Sequence, residues 1–191
     1  LPPGPKRPRQ SEGAAVIAVL RRRRITGTAA YIAIGLAVLF FQLMPLNPGQ
    51  PGLPGPDLIL CVTFAWVLRR PDQLPAIIIA ALALIGDIVL GRPFGLWSLM
   101  VLIATELLRP RAWRWADQPF LFEWLRVAVL MGLMLIGARL MMMLFLLPVP
   151  TLGPIMLQWL ATVIAYPLVV AFVRALGVRR ISASELEMMG S

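Results

Sequence analysis

The stretch Ile85-Gly-Asp-Ile-Val-Leu-Gly-Arg-Pro-Phe-Gly-Leu96 decides how this chain is organised, because it places a turn between two apolar runs. Asp87 stands near the end of the first run, and Gly91, Pro93 and Gly95 follow it. Glycine tolerates positive φ and proline fixes φ, so these residues favour a tight turn. We therefore predict the tip of a hairpin between two membrane helices. A carboxylate near hydrocarbon costs about 2.5–3.5 kcal/mol, so Asp87 is expected to have a partner or a water-filled niche.

The composition predicts one integral membrane domain. Of the 191 residues, 59% are hydrophobic and 14% are charged, whereas soluble domains are roughly 45–50% apolar. The net charge of +9 is better explained by membrane topology than by nucleic acid, because the basic residues lie between the apolar runs. The chain has no histidine and one cysteine, which excludes histidine-based metal sites, Ser-His catalysis and an intrachain disulfide. No cofactor is expected.

Six apolar runs predict six transmembrane helices and an all-α fold. They lie at about Gly27–Pro45, Asp57–Leu68, Leu74–Leu90, Phe94–Leu108, Phe120–Leu147 and Leu152–Leu176. The second run is short of the roughly 20 residues that a bilayer needs. It can span by borrowing preceding residues, by thinning the bilayer locally, or by using Arg69 and Arg70 as snorkelling anchors. The membrane domain then covers residues 27–180, between a basic, disordered tail at residues 1–26 and a C-terminal tail at residues 181–191.

The distribution of basic residues orients these helices. With the N-terminus in the cytoplasm, 15 of the 18 Lys and Arg residues fall in cytoplasmic segments. Positive charge is retained on the cytoplasmic side of membranes, so both termini are predicted to be cytoplasmic and the Asp87–Gly95 turn to face outward. The tail with its four-arginine block is expected to contact anionic lipid or to dock a partner. The predicted cytoplasmic anchors are Arg21, Arg22, Arg23, Arg24, Arg69, Arg70 and Arg109.

Charged residues within the apolar runs are the candidates for partner binding or for structural pairs. Arg139 lies on a helix that also runs outward, so it can share a depth with Asp87 and pair with it, as a structural clamp or as a substrate or proton site. Arg92 is the competing partner and can fold back from the turn. Asp57 follows a proline and is expected to begin a helix, because an aspartate there accepts from free N–H groups.

A second set of charges lies at the cytoplasmic side. Glu106 and Arg126 are expected to pair across the fourth and fifth helices, and Glu123 can also pair with Arg126 within one helical turn. The sequence shows no phosphate-binding glycine loop, no cluster of carboxylates for two-metal chemistry and no histidine partner for Ser98. It therefore predicts a protein that is not an enzyme.

Three segments resemble the MreD family of bacterial rod shape-determining proteins. They are Pro56-Asp57-Leu58 at the start of the second run, Phe64-Ala-Trp-Val-Leu-Arg-Arg-Pro71 at its end, and Gly86-Asp87 with Gly91-Arg-Pro-Phe-Gly95-Leu96 in the hairpin. The likeness covers about residues 54–109, and it does not extend to the tail before residue 25. The family motif matches Asp57, Asp87, Gly91, Pro93 and Gly95.

The resemblance implies a non-enzymatic scaffold in the inner membrane, within the machinery that builds the lateral cell wall. It implies direct association with MreC, and through it with MreB and a glycosyltransferase–transpeptidase pair. It also implies a fold similar to the substrate-binding subunits of energy-coupling-factor vitamin transporters, with short broken helices and a lined cavity. The alternative function is therefore such a substrate-binding subunit, with Asp87 and Arg139 in its pocket.

Overall fold

The computed structural model is all-helical in the part of the chain that it describes, residues 9–43, 55–112, 118–149 and 151–177. The six α-helices are α1 (Arg9–Leu43), α2 (Leu58–Val67), α3 (Ala76–Val89), α4 (Leu96–Leu108), α5 (Phe120–Leu144) and α6 (Leu152–Ala175). Two 3-10 turns, Pro71–Gln73 and Arg109–Arg111, follow α2 and α4. The predicted number of helices is confirmed.

The helices fall into two length classes. Three are long and apolar enough to cross a membrane: α5, α6 and the part of α1 at Arg21–Leu43. Helices α2, α3 and α4 have 10, 14 and 13 residues, which at the rise of an α-helix gives only about 15, 21 and 20 Å. A bilayer core is about 30 Å thick. The described residues therefore form six α-helices but three candidate membrane spans, because the turns at residues 68–75 and 90–95 cut the central runs short.

Helix α1 begins earlier than the predicted tail boundary. The backbone is helical from Arg9 to Leu43, where residues 9–26 were expected to be disordered. The prolines that disfavour a helix end at Pro8, and alanine, leucine and arginine, which are good helix formers, are frequent beyond it. Residues 1–8 and 181–191 lie outside the described part, and the division into tails and membrane domain stays a prediction.

Helix α2 forms the centre of the core. It packs against α1, α4 and α6, and every residue from Leu60 to Val67 is buried. A helix that is apolar on all sides is expected to be surrounded by protein. Its first turn is capped by Asp57, whose Oδ1 accepts from the Leu60 N–H at 3.1 Å. The prediction that Asp57 begins a helix is confirmed.

A glycine and one side-chain hydrogen bond hold α1 against α3. A Cβ added at Gly35 would stand 2.3 Å from Leu82 Cδ2, so the two helices approach closely where α1 has no side chain. At the preceding turn of the chain, Thr28 Oγ1 donates to the carbonyl of Gln73, just before α3. These contacts fix α1 and α3 side by side, running in the same direction.

Helices α5 and α6 are joined by two indole hydrogen bonds to backbone. Trp159 Nε1 donates to the Ala128 carbonyl at 3.0 Å. Trp124 Nε1 donates to the Val163 carbonyl at 2.9 Å. Val163 is four residues before Pro167, which has no N–H to give that carbonyl. The Trp124 indole therefore supplies the hydrogen bond that the proline removes from α6.

Candidate functional site

The turn between α3 and α4 has the conformation that its glycines predict. Gly91 and Gly95 have φ of 62° and 80°, a region that other residues rarely adopt. The Arg92 N–H donates to the Asp87 carbonyl at 2.9 Å, and the Leu96 N–H donates to the Pro93 carbonyl at 3.2 Å. The predicted helical hairpin is confirmed, and it places Asp87 beside the start of α4.

Asp87 acts as the N-terminal cap of α4, although it lies on α3. Its Oδ2 accepts from Gly95 N at 3.1 Å, Ser98 N at 3.2 Å and Ser98 Oγ at 2.7 Å. The first N–H groups of a helix lack intrahelical partners and favour a negative charge nearby. The expected pairs of Asp87 with Arg139 or Arg92 are wrong, because backbone amides and a hydroxyl already stabilise the carboxylate. The residue is 1% exposed, and its Oδ1 has no hydrogen-bond partner among the described residues.

Arg92 instead connects the hairpin to the start of α2. Its Nη1 lies 3.1 Å from Asp57 Oδ2, and its guanidinium lies 5.2 Å from the centroid of the Trp97 ring. The Asp57 N–H also donates to Thr162 Oγ1 of α6 at 3.0 Å. We call Asp57, Asp87, Arg92 and Ser98 the hairpin cluster. This cluster joins α2, α3 and α4, and the backbone of Asp57 extends the connection to α6.

A second buried cluster lies at the opposite end of α2. Arg69 is 2% exposed, and its Nη1 donates to the Ala65 carbonyl at 2.8 Å and to Glu123 Oε1 at 3.4 Å. The Tyr166 hydroxyl donates to the same Glu123 oxygen at 2.8 Å. The prediction that Arg69 is a surface anchor is wrong, since its charge is met inside the protein by a carboxylate of α5. We call Arg69, Glu123 and Tyr166 the Arg69 cluster.

The expected pair of Glu106 with Arg126 is also wrong. Glu106 pairs with Arg109 of the same helix at 3.0 Å, which is closer in the chain and requires no interhelical contact. Arg126 donates to Gln118. Its predicted contact with Glu123 stays a prediction.

The other predicted basic residues differ in their surroundings. Arg109 donates to the carbonyls of Pro71 and Leu74 at 2.6 and 2.8 Å, so it ties α4 to the segment before α3 rather than reaching freely outward. Arg70 and Arg139 are half-buried. The remaining four, Arg21, Arg22, Arg23 and Arg24, are exposed on α1.

The cavities beside the hairpin cluster are small. One has a volume of about 20 Å³ and is lined by residues that include Tyr31, Asp57, Thr63 and Arg92. A neighbouring one, against α5 and α6, has about 10 Å³. A single water needs about 10–15 Å³ by this measure. These spaces are therefore large enough for one or two waters. Among the described residues, no group of three His, Cys, Asp or Glu side chains could hold a metal ion.

Sequence reasoning missed two members of these clusters. Ser98 lies 11 residues from Asp87 and Tyr166 lies 43 residues from Glu123. Ser98 is the third residue of α4, and serine signals a helix start at the N-cap position instead, so the sequence carries no local signal for its contact with Asp87. The pairing of Tyr166 with Glu123 has no local signal, because it depends on how α5 and α6 pack.

No family model, curated protein or solved structure matches this chain.

Proposed function

We propose that this chain is a non-enzymatic scaffold of the bacterial inner membrane, similar to MreD, in the complex that elongates the lateral cell wall. Its direct partner is MreC, and MreB and the glycosyltransferase–transpeptidase pair join through that complex. The three long apolar helices support a place in the membrane. The distribution of basic residues supports cytoplasmic termini. The likeness of residues 54–109 to the MreD motif supports the choice of partner.

The observation that carries the scaffold function is the filled interior around the polar residues. Asp87, Asp57 and Arg69 direct their polar groups to backbone and to other side chains of the protein. The cavity next to the hairpin cluster has about 20 Å³, whereas small-molecule sites occupy about 300–1,000 Å³. This filled interior supports a role for these residues in stabilising a shape, and it favours the scaffold over the substrate-binding subunit.

The motif residues contribute to partner binding through the shape of the hairpin. Asp87, Gly91 and Gly95 set the turn, and the turn presents Phe94, whose side chain is 73% exposed. An exposed aromatic at a rigid tip is a suitable anchor, because aromatic residues lose little conformational entropy on binding. We expect the base of the periplasmic part of MreC to contact this tip and its transmembrane segment to contact an exposed face of the long helices.

Affinity purification in mild detergent from the native membrane tests this function, with proteins and small molecules both identified by mass spectrometry. We expect wild-type protein to recover MreC without a tightly bound metabolite. Asp87→Ala is expected to recover less MreC at equal protein level, because the hairpin tip loses its fixed shape. Asp72→Ala removes an exposed carboxylate elsewhere and is the matched control.

Two results would contradict the scaffold. Recovery of a vitamin or of an ATPase-coupled transporter module would establish the substrate-subunit function. Full retention of MreC by well-expressed Asp87→Ala protein would remove the hairpin from partner binding.

A further inference from the structure

The helices are aligned with one another at the end that carries the Arg69 cluster. Arg69 contacts Glu123 near the start of α5. Arg109, after α4, donates to the Leu74 carbonyl just before α3. Thr28 of α1 donates to the Gln73 carbonyl in the same segment. We call the end of the helices at which these three contacts lie the basic end. Distances along each helix can be counted from it.

Helix α6 reaches the thickness of a bilayer from the basic end. From Arg174 back to Leu152 the rise is about 33 Å, and a typical hydrocarbon core is about 30 Å thick.

Helices α3 and α4 stop well below that level. They rise about 21 and 20 Å and end at the turn of residues 90–95. Gly91 at the turn is exposed, and the Arg92 side chain is 26% exposed. Lipid-exposed irregular backbone is not tolerated in hydrocarbon, because its polar groups need partners. The turn must therefore meet water, about 10 Å closer to the basic end than the tip of the α5–α6 hairpin.

The outer face of α3 and α4 is not covered by any other part of the chain that the structure describes. Ile77 and Ile88 of α3 are 74% and 66% exposed, and Leu99 and Ile103 of α4 are 50% and 47% exposed. Exposed Glu106 and Asp72 mark the basic end of this face, and Arg92 marks the other. The result is an apolar band only about 20 Å tall, bounded by charge at both ends.

We propose that this short face binds a locally thinned bilayer, in which the leaflet opposite the basic end dips by about 10 Å to meet the α3–α4 turn. Lipid is the occupant because the band is continuous, aliphatic and bounded by charged residues at the two levels where head groups would lie. The bilayer keeps its ordinary thickness against α5 and α6. This inference rests on the proposed place of the chain in a membrane.

Two cysteine variants at equal height on different faces test the proposal. Phe94 at the turn is 73% exposed, and Leu160 on α6 is 48% exposed. Both lie about 21 Å from the basic end, counted for Leu160 from Arg174. Each variant, purified and placed in vesicles with a core of about 30 Å, is treated with a membrane-impermeant maleimide. Wild-type protein, whose only cysteine, Cys61, is 0% exposed, gives the background.

We expect Phe94→Cys to react at least about tenfold faster than Leu160→Cys, because a thiol reacts as its thiolate and forms that ion in water rather than in hydrocarbon. In vesicles with shorter acyl chains Leu160→Cys should become reactive and Phe94→Cys should change little. Pro93→Cys serves as a second reporter at the turn if Phe94→Cys does not fold.

Equal rates at the two positions in the 30 Å bilayer would overturn the proposal, since a flat bilayer treats them alike. Reaction of the turn cysteine only after detergent is added would also overturn it. A protein that is extracted from vesicles by alkaline carbonate would refute the membrane placement itself, which is a separate failure.

Discussion

Substitutions of Asp87 separate two contributions of its carboxylate to the free energy of unfolding. One is its hydrogen bonds to α4, and the other is its negative charge. Asp87→Ala removes three contacts of 2.7–3.2 Å with Gly95 and Ser98. In the membrane placement that we propose, interhelical hydrogen bonds contribute about 0.6–1.7 kcal/mol each, so the loss is about 2–5 kcal/mol. Since the whole stability of a domain is about 5–15 kcal/mol, such a change is large.

Asp87→Asn keeps most of this stabilisation. The amide oxygen can take the position of Oδ2 and accept the same donors, and the NH₂ group takes the position of Oδ1, which has no partner to lose. What disappears is the attraction between the charge and the N-terminus of α4, about 0.3–2 kcal/mol. We expect the order of stability to be wild type, then Asp87→Asn, then Asp87→Ala.

Equilibrium unfolding in mild detergent, followed by tryptophan fluorescence, measures these differences. Asp72→Ala is the control, because its carboxylate is exposed and should change stability little. Ser98→Ala removes the shortest of the three contacts and should fall between wild type and Asp87→Ala. Equal destabilisation by Asp87→Asn and Asp87→Ala would refute the capping explanation, since it would mean that charge alone matters.

Two further substitutions test the packing of the core. Glu123→Ala should destabilise the protein by about 3–5 kcal/mol, because it leaves the Arg69 charge buried without its carboxylate. In the same assay, a Glu123→Leu/Arg69→Met double variant should recover most of that loss. A double variant that recovers none of the stability would contradict the explanation by an unpaired buried charge. Gly35→Ala should cost about 1–3 kcal/mol, because the new Cβ would stand 2.3 Å from Leu82. Gly55→Ala has nothing within 4 Å of its Cβ and should be tolerated, so equal thermal stability of the two glycine variants would show that α1 shifts freely.

The features that could be predicted from the sequence are those set by neighbouring residues. Asp57 caps α2 because a carboxylate after a proline meets free amides within the next turn. Gly91 and Gly95 shape the hairpin because they alone tolerate the positive φ that it needs. Both depend on a few consecutive residues, so no knowledge of packing was required.

The errors at the buried charges concern partners that are distant in the chain. Arg69 lies in a segment that reads as a basic surface turn, yet it is buried against Glu123, 54 residues later. Asp87 was expected to need a cation, but the free amides at the start of α4 serve the same purpose. Periodicity and hydropathy locate a charge along the helix axis and leave its direction around the axis open. The partner therefore becomes known only when the helices are packed.

The separation of Arg69 and Glu123 has a consequence for how the chain is made. A ribosome that adds about 5–20 residues per second needs roughly 3–11 s to pass from one to the other, over 54 residues. During that interval, in the membrane placement that we propose, the arginine has left the ribosome and its carboxylate has not. The insertion machinery therefore has to shelter α2, or leave it at the aqueous boundary, until α5 emerges. We therefore expect α2, the most central helix, to be among the last helices to enter the membrane.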